Sequence, residues 1–191
     1  MQALTLTARK QALRTECLAI RAALSPTERA EADAALCRAV AALPEFCEAT
    51  LLLCYAPARG EPDLTPLYRL CLERGIAIAF PRCVGKEMHF HTVDALDALV
   101  EGRFGILAPT EDAPRAILTP RTLCVLPALA ATKSGARLGY GGGYYDRFLP
   151  NFPGRTVLPI YERLIRPSLP QEPTDRPADI IITEKGDLCR A

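Results

Sequence analysis

The sequence predicts an α/β fold: a single three-layer domain with a largely parallel, mixed sheet flanked by helices and led by an N-terminal helical pair. Three observations carry that expectation. The N-terminal stretch repeats apolar side chains at helical spacing. From Thr50 onward, short apolar runs alternate with helical segments, the pattern of strands joined by crossover helices. The chain has 191 residues, 49% hydrophobic and 24% charged, enough for one sizeable core over residues 1–191.

The elements follow in order. In ARKQALRTECLAIRAAL, Leu13, Cys17, Ile20 and Leu24 recur with the period of a helix. Ser25 then reads as an N-cap, with Pro26 at the first helical position and Glu28 three residues after the cap, which is a capping box. This second helix is expected to reach about Ala42, before Pro44. TLLLCY reads as a buried strand and DLTPLYRLCLERG as a helix closed by Gly75. IAIAF and MHFHTV are further strands, and DALDAL a short helix. TLCVLPAL is an apolar strand expected to lead directly into a glycine-rich loop, after which YYDRFL reads as a helix. TVLPIY and ADIIIT complete the strands. Residues 102–120 are rich in loop signals but too few to form a domain, and no internal repeat or low-complexity segment appears.

Composition narrows the function classes. A formal net charge of +1 argues against non-specific nucleic-acid binding, which needs a strongly basic balance. The start, MQALTLTARKQALR, has no apolar core before its charges, unlike a secretory signal. ATLLLCYAPA and CVLPALAA are too short to span a bilayer. The expectation is a cytoplasmic, monomeric protein without a membrane or nucleic-acid partner. Eight cysteines, Cys17, Cys37, Cys47, Cys54, Cys71, Cys83, Cys124 and Cys189, form no CxxC pair, and His89 and His91 lie far from most of them. Structural zinc wants paired ligands at short spacing, so buried free thiols are expected.

The densest signal is GARLGYGGGYYDRFLP, residues 135–150, with five glycines between Gly135 and Gly143. Glycine in regular structure costs roughly 0.5–1 kcal/mol relative to alanine, so the cluster needs a compensating gain. Backbone N–H groups of such a loop can cradle an anion, and a following helix adds its positive end. There is no Walker A pattern, and Tyr144 occupies the third glycine position of a G-x-G-x-x-G. A purely structural turn is the alternative. It leaves Arg137, Asp146 and Arg147 unexplained, whereas a phosphate needs cationic donors and Mg²⁺ a hard oxygen ligand.

LPALAATKSGARLGYGGGYYDRFL resembles the signature of the 5-formyltetrahydrofolate cyclo-ligase family, also called methenyltetrahydrofolate synthetases. KQALR near the start is similar to that family's K-x-x-L-R. YAPARGEPD is similar to its segment ending in a substrate-binding glutamate, and DRPADIIITEKG to its C-terminal D-x-x-x-D-x-x-x-T-E. The resemblance covers nearly the whole chain in order. It implies ATP- and Mg²⁺-dependent closure of 5-formyltetrahydrofolate to 5,10-methenyltetrahydrofolate, through attack of the formyl oxygen on the γ-phosphate.

The resemblance also implies roles. Lys10 and Arg14 share one helix face and by themselves read as a solvated basic face; the family assigns them to ATP phosphates. Arg137, Leu138, Gly139, Tyr140, Gly141, Gly142, Gly143, Tyr144 and Tyr145 become the ATP loop, with Tyr140 to Tyr144 also facing the folate. Glu61, otherwise a surface carboxylate, is assigned to the pterin, with Ala56 touching the substrate. Arg137, Tyr144 and Asp146 carry the catalytic assignment. Asp146 is the first Mg²⁺ ligand and Asp179 the expected second, with Asp175 the weaker candidate; Asp179 could equally cap a turn.

Four departures stand out against the family pattern. Ala130-Ala131-Thr132 replaces Ala-Phe-Asp, and Ala108 in GILAP stands where relatives carry glutamate. LPIYERL replaces a Gly-Leu-Ala-Tyr strand, and Gly142 removes a basic residue that some members place inside the loop. The substitutions at Ala108, Ala131 and Thr132 support a second reading, a folate- or nucleotide-binding regulatory paralogue without efficient turnover. Retention of Lys10, Arg14, Glu61, Arg137, Asp146 and Asp179 argues against it. Arg82, Lys86 and Arg103 are surface cations that could meet a polyglutamate tail.

Overall fold

The computed structural model describes residues 5–186 and 188–190. Helix α1 spans Leu6–Ala22, and the Thr5 hydroxyl caps it by accepting from the Ala8 N–H. Helix α2 spans Pro26–Ala41 and opens on the expected capping box: Ser25 Oγ accepts from Glu28 N, and Glu28 Oε2 from Ser25 N. A short α3, Pro44–Cys47, leads to strand β1, Leu51–Leu53. Helix α4, Thr65–Glu73, is followed by Gly75 at φ +70°. Strands β2, Ala77–Val84, and β3, Glu87–Val93, form a hairpin.

Two residues each make β4, Val100–Glu101, and β5, Leu107–Ala108, which pair with each other. Strand β6 is Thr122–Val125. Strands β7, Ala130–Ala131, and β8, Arg137–Leu138, form a second small hairpin. A single helical turn, α5, covers Tyr144–Phe148. Strands β9, Arg155–Pro159, β10, Ile180–Ile182, and β11, Leu188–Arg190, finish the chain.

The main sheet runs β11-β10-β9-β6-β1-β2-β3. Its five inner strands are mutually parallel, and the two edge pairings are antiparallel. The inner strands read as unbroken apolar runs because both faces are covered: β1, β6 and β10 are buried at every position.

Two expectations are corrected. TLCVLPAL does not form one strand leading into the glycine loop. Pro127 follows the last ladder bond, from Leu126 N to Val157 O, and has no N–H to continue it. The β7–β8 hairpin then intervenes, and its turn is closed by Thr132, whose hydroxyl accepts from Ala136 N. The residue at the family's aspartate position thus serves the hairpin. DALDAL forms only a 3₁₀ turn, Leu96–Ala98.

In the LPIYERL departure, Tyr161 is fully buried and donates to Asp33 Oδ1 at 2.7 Å. That bond ties α2 to the segment after β9. Burial pushes the Asp33 carboxyl up from its ordinary value, and the Tyr161 hydrogen bond opposes the shift.

Tyr161→Phe should destabilise the fold by about 1–3 kcal/mol, the cost of a buried group left unpaired. Asp33 titrates higher folded than unfolded, so its ionisation costs stability as pH rises, and losing the hydroxyl enlarges that cost. Urea unfolding should therefore show a larger deficit at pH 7 than at pH 4; a pH-independent deficit would contradict the role given to Asp33.

Candidate active site

A cavity of about 1070 Å³ opens beyond the carboxyl ends of β1 and β6, where parallel sheets place their ligands. Its walls come from α1, residues 55–61, the β2–β3 hairpin, β4–β5, residues 137–147 and residues 172–175.

Helix α1 faces this cavity with cations rather than with its apolar stripe. Lys10, Cys17 and Arg21 are buried, while Leu13 and Ile20 are only half-buried. Lys10 Nζ donates to Glu172 and Asp175, both at 2.7 Å. Burial alone would lower the Lys10 ammonium, but those two hydrogen bonds outweigh it and hold its pKa above the usual value. Arg14 Nε donates to Gly139 O at 2.9 Å. Arg21, 1% exposed, donates from Nη1 to the Tyr140 hydroxyl at 2.7 Å and from Nη2 to Ala128 O.

The glycine loop is shaped around these side chains. Gly141 has φ +97°, and a Cβ there would lie 3.3 Å from the Arg14 guanidinium carbon. Gly143 has φ +67° and stands at the entry of α5. Gly142 has no unusual φ, but a Cβ would lie 2.9 Å from the Tyr144 ring. From its other side the loop is tied to the β2–β3 turn: Tyr144 donates to Gly85 O, and Arg147 to both Lys86 O and Gly142 O. With only five residues, α5 contributes little dipole of its own.

Glu61 is buried at the end of a tightly held segment. The hydroxyls of Tyr55 and Tyr68 donate to Pro62 O and Tyr55 O, respectively. Glu61 Oε2 accepts from Ala58 N at 2.9 Å. Burial raises the Glu61 pKa, while the Ala58 N–H, the Arg21 charge and a Tyr140 hydrogen bond pull it down. Ala56 is buried and also lines the cavity. Arg59, at φ +49° in the left-handed region, lies over the Tyr140 ring at 5.5 Å.

On β8, Arg137 donates to Asp146 Oδ1 at 2.6 Å, and its guanidinium lies 5.9 Å from the Tyr145 ring centroid. Asp146 also accepts from Arg176 N at 3.1 Å, so Asp175 and Asp146 are neighbours. Asp179 does not join them. Its Oδ2 accepts from both Thr156 N and Thr156 Oγ1, and it is absent from the cavity wall. It braces β9 against the entry to β10, outside the cavity that Asp146 and Asp175 line. Asp175 holds the cavity-facing place instead.

Among the described residues no three His, Cys, Asp or Glu side chains converge as a ready metal cage. Mg²⁺ characteristically uses one or two carboxylates plus substrate phosphates. Asp146 and Asp175 both line the cavity wall.

Ala108 brings only a methyl to the wall at the family's glutamate position. Arg82 donates to Pro109 O and pairs with Glu111. Burial raises every shifted thiol, Cys37 to about 11 and Cys71 to about 12. The cavity-lining Cys83 is raised too, which speaks against a thiolate nucleophile. Sequence reasoning missed Arg21, Arg59 and Glu172. For Arg21 a signal existed: it lies seven residues after Arg14, on the same helix face as Cys17.

Residues 6–184 match the model of the 5-formyltetrahydrofolate cyclo-ligase family. The 5-formyltetrahydrofolate cyclo-ligase of Haemophilus influenzae is 26% identical over 186 residues, which are 92% of this chain and 98% of that protein. A probable 5-formyltetrahydrofolate cyclo-ligase of Schizosaccharomyces pombe is 26% identical over 124 residues, so the match spans 60% of its length. The solved 5,10-methenyltetrahydrofolate synthetase of Aquifex aeolicus superposes with a TM-score of 0.82 at 33% identity, covering 95% of this chain and 92% of that one.

A methyl at Gly141 must tolerate both a positive φ and the Arg14 contact, whereas Gly75, at φ +70°, has no atom within 4 Å of an added Cβ. The backbone term alone is about 1–2 kcal/mol. Gly141→Ala should therefore lower unfolding free energy more than Gly75→Ala does. Equal losses in urea titrations would mean that the Arg14 contact is easily surrendered.

Proposed function

Because the chain belongs to the 5-formyltetrahydrofolate cyclo-ligase family, we propose that it closes 5-formyltetrahydrofolate to 5,10-methenyltetrahydrofolate while ATP becomes ADP and phosphate. One observation supports this above the rest. A single cavity carries both a buried acceptor, Glu61, and the cations of α1 and β8, and the glycine loop touches both sets.

The chemistry is mostly positioning. The formyl oxygen attacks the γ-phosphorus and ADP departs. N10 then attacks the formyl carbon and loses its proton, and phosphate leaves with the former formyl oxygen. Glu61 accepts two parallel hydrogen bonds from the pterin's amino group and adjacent ring N–H, which fixes the formyl group against the loop. Ala56 leaves room for the ring. Lys10 offers a mobile point charge and Arg14 a planar fork to the phosphates. As phosphates arrive, Lys10 exchanges its bonds to Glu172 and Asp175 for phosphate oxygens. Arg137, its Nε buried without a hydrogen-bond partner, is available to the transferring group. The backbone of residues 138–145 and the Tyr144 ring line the meeting point. Asp146 and Asp175 would hold Mg²⁺, which when bound neutralises phosphate charge and aligns the γ-phosphoryl group.

No helix among the described residues is long and apolar enough to cross a membrane. The free cysteines, five of them buried, suit a reducing compartment such as the cytosol.

A continuous absorbance assay should show methenyltetrahydrofolate forming only with 5-formyltetrahydrofolate, ATP and Mg²⁺ together. Binding of both ligands by folded protein without product would establish the regulatory-paralogue reading instead. Glu61→Gln should weaken folate binding by about 1–3 kcal/mol while leaving ATP binding nearly unchanged.

The metal assignment has its own comparison. Asp146→Asn and Asp175→Asn should each lose most of the thermal stabilisation conferred by MgATP, whereas Asp179→Asn should keep it. Loss confined to Asp179→Asn would reinstate that residue.

A further inference from the structure

We propose that Arg21 is a positioning residue for the substrate-binding carboxylate Glu61: its buried guanidinium aims the Tyr140 hydroxyl at Glu61 and keeps that side chain an acceptor. The inference rests on the reading of Glu61 given above and adds a group that lies outside every motif of the sequence.

A guanidinium stays charged in a protein, and a buried charge must be compensated. Arg21 is 1% exposed, yet its hydrogen-bond partners, Ala128 O and the Tyr140 hydroxyl, are both neutral. Its Nε is buried without a hydrogen-bond partner. Compensation comes from Glu61, itself 7% exposed, which feels the Arg21 charge across Tyr140.

The hydroxyl between them is directional. It carries one proton and two lone pairs. Arg21 Nη1 occupies a lone pair, so the proton is left to donate, and Glu61, which lines the same cavity wall as Tyr140, is the acid it faces. With Ala58 N also donating to Glu61, the carboxylate is oriented from two sides, and its remaining lone pairs are free for a ligand's N–H groups. Such a chain is strengthened by mutual polarisation.

Other titratable groups also face Glu61. Tyr55 comes from the end of β1, Tyr140 and Tyr145 from the glycine loop and α5, and Arg59 from Glu61's own segment. Arg59 is exposed and therefore screened by solvent and salt. Arg21 is the buried cation of the group.

The test reads Glu61 directly. Its side-chain carboxyl is followed by ¹³C NMR across pH in the free wild-type protein and in Arg21→Met, Arg21→Lys and Tyr140→Phe. Affinity for 5-formyltetrahydrofolate is measured by calorimetry over the same range. Arg21→Met should raise the Glu61 midpoint by about 1–3 pH units. A carboxyl with a raised midpoint is lost as an acceptor when pH falls through it. Folate affinity in Arg21→Met should therefore begin to fall at a higher pH than in the wild type, by about tenfold for each pH unit below the new midpoint.

Arg21→Lys should restore part of the shift, because the charge remains while the forked donor is gone. Tyr140→Phe removes no buried charge and should fold regardless; its Glu61 midpoint should rise by less. Unchanged midpoints in Arg21→Met and Tyr140→Phe would overturn the proposal, and Tyr140→Phe alone would do so if Arg21→Met does not fold. Shifted midpoints in a protein whose wild type binds no 5-formyltetrahydrofolate would instead overturn the substrate role of Glu61.

Discussion

Three cations on one face of α1 must find compensation when that helix docks against the loops around the cavity, and the rest of the site follows from how they do. A buried charge without partners costs several kcal/mol even after relaxation. Lys10 is answered by Glu172 and Asp175, Arg14 by the Gly139 carbonyl, and Arg21 by hydrogen bonds to Ala128 O and Tyr140 together with the charge of Glu61. The partners belong to separate segments of the C-terminal half, so docking one helix fixes several walls of the cavity. The glycine cluster fits this arrangement. Arg14 lies where a Cβ of Gly141 would project, and the loop's left-handed residues let its carbonyls turn toward the arginines. Part of the ordering cost of those glycines is thereby offset by protein contacts.

The cavity also holds some of its charges in pairs. Lys10 sits between two acids, and Arg137 is joined to Asp146. Under the proposed function, phosphates entering such a site would exchange partners with existing pairs, and carboxylates released from lysine or arginine would become available to a cation. This differs from an open cationic pit, which would attract any polyanion. It also agrees with a formal net charge of only +1.

Much of this was legible in the sequence, and the exceptions have physical reasons. The capping box at Ser25, the strand–helix alternation and the glycine loop are local signals, and local signals survive without coordinates. Asp175 and Asp179, four residues apart, look alike in one dimension, but Thr156, distant in sequence, claims Asp179 while Asp175 lines the cavity. TLCVLPAL was overextended because its apolar run continues past Pro127 into a separate hairpin. Arg21 was passed over because a charged residue on a helix reads as solvated unless its neighbours in space are known. The Ala131 and Thr132 departures, alarming as a lost aromatic and a lost acid, become a buried methyl and a working turn hydroxyl.

The Lys10 contacts also bear on how the molecule assembles. Lys10 meets its partners 162 and 165 residues along the chain, and Arg14 meets Gly139 across 125. Loops of that length close late, since their entropy must be overcome before any contact rewards it. The sheet can form its inner parallel pairs while α1 is still undocked, but the ligand cavity cannot. Ligand binding on refolding should therefore return no earlier than the docking of α1.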